Sequence, residues 1–221
     1  MTARAVVLAL TMATVMACGA LAPASAQEDD ALAQDIQRLQ DGWATASYQT
    51  PEKQQNDAFT RLTAEADQAV ARHAGRAEPL VWKAIILSSH AGAVGGLGAL
   101  GKVKEARRLL EQAEKIDPEA LDGSVYTSLG SLYYQVPGWP VGFGDDKQAE
   151  KYLKKALAVN PDGIDPNYFY GDYLLEQRHY REAAEYLEKA LRAPDRPQRA
   201  VADEGRRAEA RNKLAEARKH L

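Results

Sequence analysis

The chain has 221 residues, 45% of them hydrophobic and 27% charged, which suffices for one repeat array or two small domains with a packed core. Its formal net charge of −3 at pH 7 argues against broad nucleic-acid binding, because that function requires a basic surface. The sequence contains one cysteine, so no disulfide can form within the chain, and we expect its hydrophobic core to hold the fold together.

The first 26 residues have the pattern of a targeting segment. Arg4 precedes an apolar run over residues 5–21, and Ala24 and Ala26 form a small-residue cleavage site. We therefore expect residues 1–26 to be a signal peptide that is cleaved after Ala26. This predicts a periplasmic or secreted protein with no transmembrane span in its mature form.

Cys18 offers an alternative route of processing. The segment Val15-Met16-Ala17-Cys18 resembles a bacterial lipoprotein signal, in which the cysteine carries the lipid. Met16 is an unusual residue at its position, which favours cleavage after Ala26. A lipoprotein anchored at Cys18 is the alternative.

Residues 27–78 show helical periodicity in two stretches. Apolar residues recur three or four positions apart in each stretch, as they do on the buried face of an amphipathic helix. We interpret the region as an N-terminal degenerate helical hairpin, marked by Leu32, Ile36, Leu39 and Trp43 on one helix and by Phe59, Leu62, Ala66, Ala69 and Val70 on the other.

Residues 79–195 contain an internal repeat. Three segments share an alanine, a leucine four residues later and a second alanine three residues after that, with a proline near the end. These spacings place all three residues on one helical face, where alanine allows a neighbouring helix to approach closely. The three copies are Ala106, Leu110, Ala113 and Pro118; Ala149, Leu153, Ala156 and Pro161; and Ala183, Leu187, Ala190 and Pro194.

Each copy is preceded by a partner helix, which completes a hairpin. The clearest partner helix carries Tyr126, Leu129 and Gly130. The spacing predicts enlarged hairpin turns at residues 92–101 and 136–146. Beyond the repeats, residues 196–221 have the charged composition of a C-terminal capping helix, which a repeat array needs on its last exposed face.

Residues 149–161 and 168–190 resemble tetratricopeptide repeats, and the resemblance extends over roughly residues 79–194. The 34-residue distance from Ala149 to Ala183 is the period of that family. Together with the signal peptide, the pattern is more loosely similar to the periplasmic T component of TRAP transporters. The resemblance implies an all-α solenoid of about four helical hairpins plus the capping helix, with a concave face that binds a protein or peptide.

In this family the first helix of each hairpin lines the binding groove. Counted along that repeat frame, eight residues are candidates for the groove lining, and their mixed polar and aromatic character suits a peptide or a small polar ligand. They are Lys83, His90, Thr127, Ser131, Tyr134, Tyr168, Asp172 and Glu176.

Trp139 and Phe143 lie in the glycine- and proline-rich insertion at residues 136–146. Exposed aromatic side chains on such a loop could anchor a partner, since aromatic residues dominate binding hot spots. Alternatively, both rings fold back onto the helices and close the end of the core, and Asp145 or Asp146 caps the following helix.

The sequence contains no pattern typical of catalysis. The four histidines are scattered, no Cys/His cluster is present, and no GxSxG segment occurs. We therefore predict a protein without catalytic residues, metal or cofactor that acts as a periplasmic protein- or peptide-binding scaffold. The alternatives are an accessory component of a periplasmic solute transport system and a lipid-anchored envelope-assembly factor.

Overall fold

A computed structural model describes residues 24–221, which fold into nine α-helices arranged as four antiparallel hairpins and a final helix. No strand occurs within this described part, so the predicted all-α hairpin solenoid is confirmed. Most of the predicted signal peptide, including Cys18, lies outside the described residues. The helices are α1 (Ala24–Ala44), α2 (Glu52–Arg72), α3 (Ala77–Val94), α4 (Gly96–Ile116), α5 (Ala120–Gln135), α6 (Asp146–Val159), α7 (Ile164–Glu176), α8 (Tyr180–Arg192) and α9 (Ala200–Arg218).

The N-terminal hairpin consists of α1 and α2. Helix α1 starts at Ala24 and runs through the predicted cleavage point after Ala26, and it continues into a π-helix, Thr45–Gln49. The apolar residues through which α1 packs on the core all follow the predicted cleavage point. Cleavage there would therefore leave the packing face of α1 intact. They are Leu32, Ile36, Leu39 and Trp43.

The alanine–leucine–alanine pattern forms the seams between paired helices. Each of its nine members has 0% of its surface exposed. Glycines on α5 and α7 allow a close approach of two of these leucines: a Cβ on Gly130 would lie 2.6 Å from Cγ of Leu153, and a Cβ on Gly171 would lie 2.8 Å from Cγ of Leu187. The nine residues are Ala106, Leu110, Ala113, Ala149, Leu153, Ala156, Ala183, Leu187 and Ala190.

The turn between α3 and α4 differs from the sequence-based expectation of an enlarged turn at residues 92–101. Both helices extend into that range, and Gly95 alone separates them. Gly95 has a φ of 65°, a left-handed conformation that glycine adopts without steric cost and that reverses the chain in one residue. The glycine-rich segment therefore contains a tight reversal of the chain at Gly95. Its later glycines, such as Gly98 and Gly101, lie on the exposed surface of α4.

The second predicted turn is an extended loop. Helix α5 ends at Gln135 and α6 begins at Asp146. Asp145 is the N-cap of α6, where its side chain accepts hydrogen bonds from the backbone N–H groups of Lys147 and Gln148, at 2.9 and 3.0 Å. This carboxylate satisfies two of the donors that a helix start leaves unpaired.

The last helix does more than cap the array. Helix α9 packs on α8 and α7, as a capping helix should, and it also contacts α1 and the π-helix at the other end of the chain. The amide nitrogen of Gln37 in α1 donates to the carbonyl of Gln198, which lies in the 3-10 helix Pro197–Arg199 just before α9, at 3.1 Å. The hairpins therefore curve until the N-terminal and C-terminal segments meet.

Candidate functional site

The curvature forms a partly open cavity, here called the central cavity, of about 380 Å³. Its floor is formed by the first helices of three successive hairpins, α3, α5 and α7. The π-helix and α9 close it from the opposite side. It is lined by Trp43, Ser47, Tyr48, Trp82, Ile85, Ser88, Ser89, Gly92, Ser124, Thr127, Ser128, Ser131, Gln135, Asp165, Tyr168, Phe169, Arg199, Arg206 and Glu209.

Tyr48 and Gly205 make the contact that closes the cavity. An ideal Cβ on Gly205 would lie 2.5 Å from three carbons of the Tyr48 ring, so only glycine leaves room for the ring on this face of α9. The π-helix at the end of α1 carries Tyr48 to this position. The ring also packs edge-on against Trp43, with centroids 5.6 Å apart.

The walls of the central cavity combine aromatic rings with small hydroxyl groups. Trp43 and Trp82 pack edge to face at 6.1 Å, and the indole N–H of Trp43 donates to Ser89 Oγ at 2.8 Å. Across the cavity, Tyr168 and Phe169 project from α7, with ring centroids 5.1 Å apart. A lining of this kind offers apolar area and scattered hydrogen-bonding groups, as small-ligand and peptide sites do.

A charged cluster lies at the C-terminal side of the central cavity. Asp165 accepts from Arg206 Nε and from Arg196 Nη1, both at 3.0 Å. Arg206 also donates to Glu209 at 2.6 Å, and Arg196 is held by Asp203 at 2.5 Å. The cluster joins the start of α7 to α9 and to the 3-10 helix before it.

Burial and charge act in opposite directions on the Asp165 carboxyl. Burial alone would raise its pKa, but the guanidinium groups of Arg206, Arg196 and Arg199 lower the pKa well below the usual range. The side chain therefore stays ionised. Burial raises the pKa of Tyr48 and of Tyr168 despite the nearby charge of Arg206, so both phenols remain neutral.

Three of the eight predicted groove residues line the central cavity: Thr127, Ser131 and Tyr168. The hydroxyls of Thr127 and Ser131 donate to backbone carbonyls of their own helix, at 3.3 and 3.0 Å, and both side chains are buried. The guanidinium of Arg206 lies 4.5 Å from the centroid of the Tyr168 ring, a cation–π arrangement.

Lys83 and His90 lie outside the central cavity, contrary to the expectation from the repeat frame. The ammonium of Lys83 pairs with Asp67 of α2 at 2.7 Å, and the His90 ring bonds Asn56 of α2 at 3.0 Å. Both therefore face the preceding hairpin. A different face of α3 lines the cavity, so the repeat frame assigned the wrong face of this helix to the groove. The residues on the cavity face are Trp82, Ile85, Ser88, Ser89 and Gly92.

Tyr134 and Asp172 form a separate polar contact beside the central cavity, and Glu176 lies one helical turn after Asp172. Tyr134 donates to Asp172 Oδ2 at 2.8 Å, and Lys213 of α9 lies 2.8 Å from the other carboxylate oxygen. Tyr134 and Asp172 are buried, whereas Glu176 is exposed at the end of α7. This group links α5, α7 and α9 rather than lining the central cavity.

The two aromatic residues of the 136–145 loop behave differently. Phe143 folds back, with its ring 5.8 Å from that of Tyr133 and with Arg107 4.4 Å above it. Trp139 points outward and is 90% exposed. The expectation that both rings fold back is therefore met by Phe143 alone.

Several lining residues were not singled out from the sequence. Ser88, Ser89 and Gly92 of α3 match Ser124, Thr127, Ser128 and Ser131 of α5, because both stripes recur at intervals of three and four. This pairing of small polar stripes was a readable signal. The arginines of the C-terminal segment gave no such signal, since charge in a terminal helix also suits a solvated cap.

Other features of residues 24–221 bear on membrane and metal binding. None of the helices described is both long enough and apolar enough to cross a bilayer. In the same range, no group of three or more His, Cys, Asp or Glu side chains converges as metal ligands would.

Comparison with known proteins agrees with the fold. The family model for the tetratricopeptide repeat matches residues 164–195, which span α7 and α8. No curated protein matches the sequence. A crystal structure of a thermophilic tetratricopeptide-repeat protein from Thermus thermophilus is similar, with a TM-score of 0.54 and 22% identity over 88% of this chain and 91% of that one.

Two further solved structures show weaker likeness. MamA of AMB-1 has a TM-score of 0.45 and 19% identity over 81% of this chain and 95% of its own. The pilF protein of Pseudomonas aeruginosa has a TM-score of 0.35 and 17% identity over 86% of this chain and 90% of its own. The chain therefore carries a tetratricopeptide repeat at residues 164–195, within an all-α fold of stacked helical hairpins like that of tetratricopeptide-repeat proteins.

Proposed function

We propose that this protein is an exported, non-catalytic scaffold that holds a segment of a partner protein or peptide in its central cavity. One observation carries the proposal: the first helices of three successive hairpins, α3, α5 and α7, form the floor of a cavity with aromatic and hydroxyl-bearing walls. Folds of tetratricopeptide-repeat type are generally protein-interaction scaffolds, and this supports the same function.

The proposed location rests on the N-terminal sequence. Residues 1–26 combine a short basic start, an apolar run and a small-residue cleavage site, which supports export to the periplasm. A lipoprotein anchored at Cys18 is the alternative, and it would suit an envelope-assembly factor. Mass spectrometry of the mature protein separates the two forms, since one starts at Gln27 and the other at a diacylated Cys18.

A second candidate function is an accessory role in solute transport. The volume of the central cavity, about 380 Å³, lies at the small end of the range of about 300–1,000 Å³ that ligand pockets occupy. The contact of Tyr48 with Gly205 closes this volume on the side facing α9. A partly open cavity of this size favours a small solute or one or two residues of a chain over a long peptide.

Site-specific photo-crosslinking tests the proposed function. A photoreactive phenylalanine analogue replaces Ser128, which lines the central cavity, and in a matched variant it replaces Thr60, which is exposed on α2. In cells that make the protein, we expect a discrete protein or peptide adduct at position 128 and none at position 60. Identical adducts at both positions, or none at position 128, would refute binding in the cavity.

A further inference from the structure

Two hydrogen-bond donors in the wall of the central cavity have no partner. Trp82 is only 3% exposed, and its buried indole Nε1 makes no hydrogen bond. The Nε atom of Arg199 is likewise buried and makes no hydrogen bond. The neighbouring indole of Trp43 shows the usual outcome, because its N–H is satisfied by Ser89. Buried polar groups are nearly always hydrogen-bonded, so the two free donors require an explanation.

The two free donors are neighbours. The guanidinium carbon of Arg199 lies 5.2 Å from the centroid of the Trp82 ring. Both residues line the central cavity and also the adjoining cavity of about 300 Å³ beside it. Ser47 of the π-helix also lines the central cavity, and its buried Oγ lacks a partner as well. A ligand acceptor group placed beside Trp82 and Arg199 would satisfy both free donors.

Arg199 differs from Arg196 and Arg206 because it makes no direct ion pair with a carboxylate in the described part of the chain. Arg196 and Arg206 share Asp165, Arg206 also holds Glu209, and Arg196 also holds Asp203. Arg199 has no carboxylate oxygen within 4.0 Å in the described part of the chain. Burial lowers the pKa of Arg199, and the charges of Asp165 and Asp203 oppose that shift. Arginine nevertheless remains charged in proteins, so this guanidinium offers a direct partner to an anionic group.

The remaining walls select the body of the ligand. Tyr48, Tyr168, Phe169 and Ile85 present apolar surface to the central cavity. A simple inorganic anion would leave that surface without contacts. An organic ligand that pairs an acceptor group with a bulky apolar side chain would use both parts of the site.

We propose that the central cavity binds a carboxylate attached to a bulky apolar group, with Arg199 and Trp82 as its hydrogen-bond donors. A planar carboxylate can accept hydrogen bonds from a guanidinium and from a second donor at the same time. The chemistry is shared by the C-terminal residue of a protein chain and by a free organic acid. This inference rests on the proposed function, because it specifies what the same cavity recognises.

Nuclear magnetic resonance of the indole N–H groups tests the inference on the whole protein. The sequence contains three tryptophans, so their indole signals can be assigned by substitution. Trp82 reports the proposed donor, Trp43 reports a bonded indole in the same cavity, and the 90% exposed Trp139 serves as a reference outside it. The probes are N-acetyl-phenylalanine and an acetylated tetrapeptide, Ala-Ala-Ala-Phe, each with a free carboxylate and as the amide.

We expect a saturable shift of the Trp82 signal with at least one free-carboxylate probe, at least tenfold weaker binding of the matching amide, and no shift of Trp139. Arg199→Gln should weaken carboxylate binding at least tenfold. The matched control Arg211→Gln, which removes an exposed arginine of α9, should leave binding unchanged. Circular dichroism establishes that both variants stay folded.

The outcomes separate this inference from the proposed function. Binding of the tetrapeptide identifies a chain end as the ligand, and binding of the amino acid alone identifies a free acid. If acid and amide bind equally well, carboxylate recognition is refuted while binding in the cavity stands. If no probe moves the Trp82 signal, the inference is overturned, and the crosslinking result at position 128 still decides the proposed function independently.

Discussion

The phenolic hydroxyl of Tyr134 on α5 donates to Oδ2 of Asp172 on α7 at 2.8 Å, and both side chains are buried. Lys213 of α9 lies 2.8 Å from the second carboxylate oxygen. One carboxylate thus ties together two successive hairpins and the last helix. Burial and the charge of Asp172 raise the pKa of Tyr134 well above its usual value, so the phenol stays protonated and keeps donating.

Tyr134→Phe should destabilise the protein by about 1.5–3 kcal/mol, because it removes a hydrogen bond to a buried charge. Tyr152→Phe is the matched control: Tyr152 bonds Glu114 at 3.2 Å across the preceding pair of hairpins, and its side chain is only half-buried. Loss of the Tyr152 hydrogen bond should lower the free energy of unfolding by less than about 1 kcal/mol. Urea unfolding followed by circular dichroism measures both changes, and equal losses would contradict this account of the Tyr134 contact.

Gly171→Ala should open the seam between α7 and α8. The added Cβ would lie 2.8 Å from Cγ of Leu187 and 3.1 Å from its backbone nitrogen, so the helices must separate. Overpacking of this kind costs about 1–3 kcal/mol.

The control for the seam is Gly101→Ala in α4, where an added Cβ meets nothing within 4 Å. Because glycine destabilises a helix interior by roughly 0.5–1 kcal/mol relative to alanine, this variant should gain stability. Thermal unfolding of both variants checks the opposite signs. A Gly171→Ala protein as stable as the parent would mean that the seam tolerates a wider spacing.

Asp165→Asn should make stability less dependent on acid pH. The pKa of Asp165 is lowered in the folded state, so the unfolded chain binds this proton more readily, near its ordinary value of about 3.9. The contribution of the carboxylate is therefore complete above about pH 5 and is lost as the pH falls below about 4.

We expect the variant to lose on the order of 3 kcal/mol at pH 7, because Arg196 and Arg206 lose the carboxylate they share. The difference from the parent should shrink between pH 5 and pH 2.5 in denaturant titrations. Asp195→Asn removes an 85% exposed partner of Arg207 and should change stability by less than about 1 kcal/mol at any pH. A pH-independent difference for Asp165→Asn would rule out the ionised carboxylate as the cause.

Substitutions in the 136–145 loop should separate its two aromatic residues. Phe143→Ala removes a ring packed against Tyr133 and covered by Arg107, and it should cost about 1–3 kcal/mol, less than a fully buried ring. Trp139→Ala should leave stability within about 0.5 kcal/mol, because that side chain is 90% exposed. The midpoints of urea unfolding test both expectations, and a destabilised Trp139→Ala protein would show that the indole packs against the helices in solution.

The parts of the fold that sequence periodicity could predict are those built from local contacts. Ala149, Leu153 and Ala156 share a helical face by spacing alone, and they are buried as that spacing requires. The cavity face of α3 was harder to predict. The repeat frame was counted back through an expected long turn, which in the structure is Gly95 alone, and it selected Lys83 and His90.

The far side of the central cavity could not be predicted in this way. Tyr48 and Arg199 reach the cavity through contacts between opposite ends of the chain, such as that of Gln37 with Gln198, which are 161 residues apart. Periodic patterns record which face of a helix is buried. They do not record which distant segment covers it.

The contact between Tyr48 and Gly205 has a consequence for how the molecule is made. In an open solenoid each repeat touches only its neighbours, so folding can start anywhere and spread along the array. Here the first and last segments support each other, and the walls of the central cavity are incomplete until α9 has been synthesised and has docked. A nascent or truncated chain that ends before Gly205 would carry the floor of the cavity without its cover, and binding competence should appear only with the finished polypeptide.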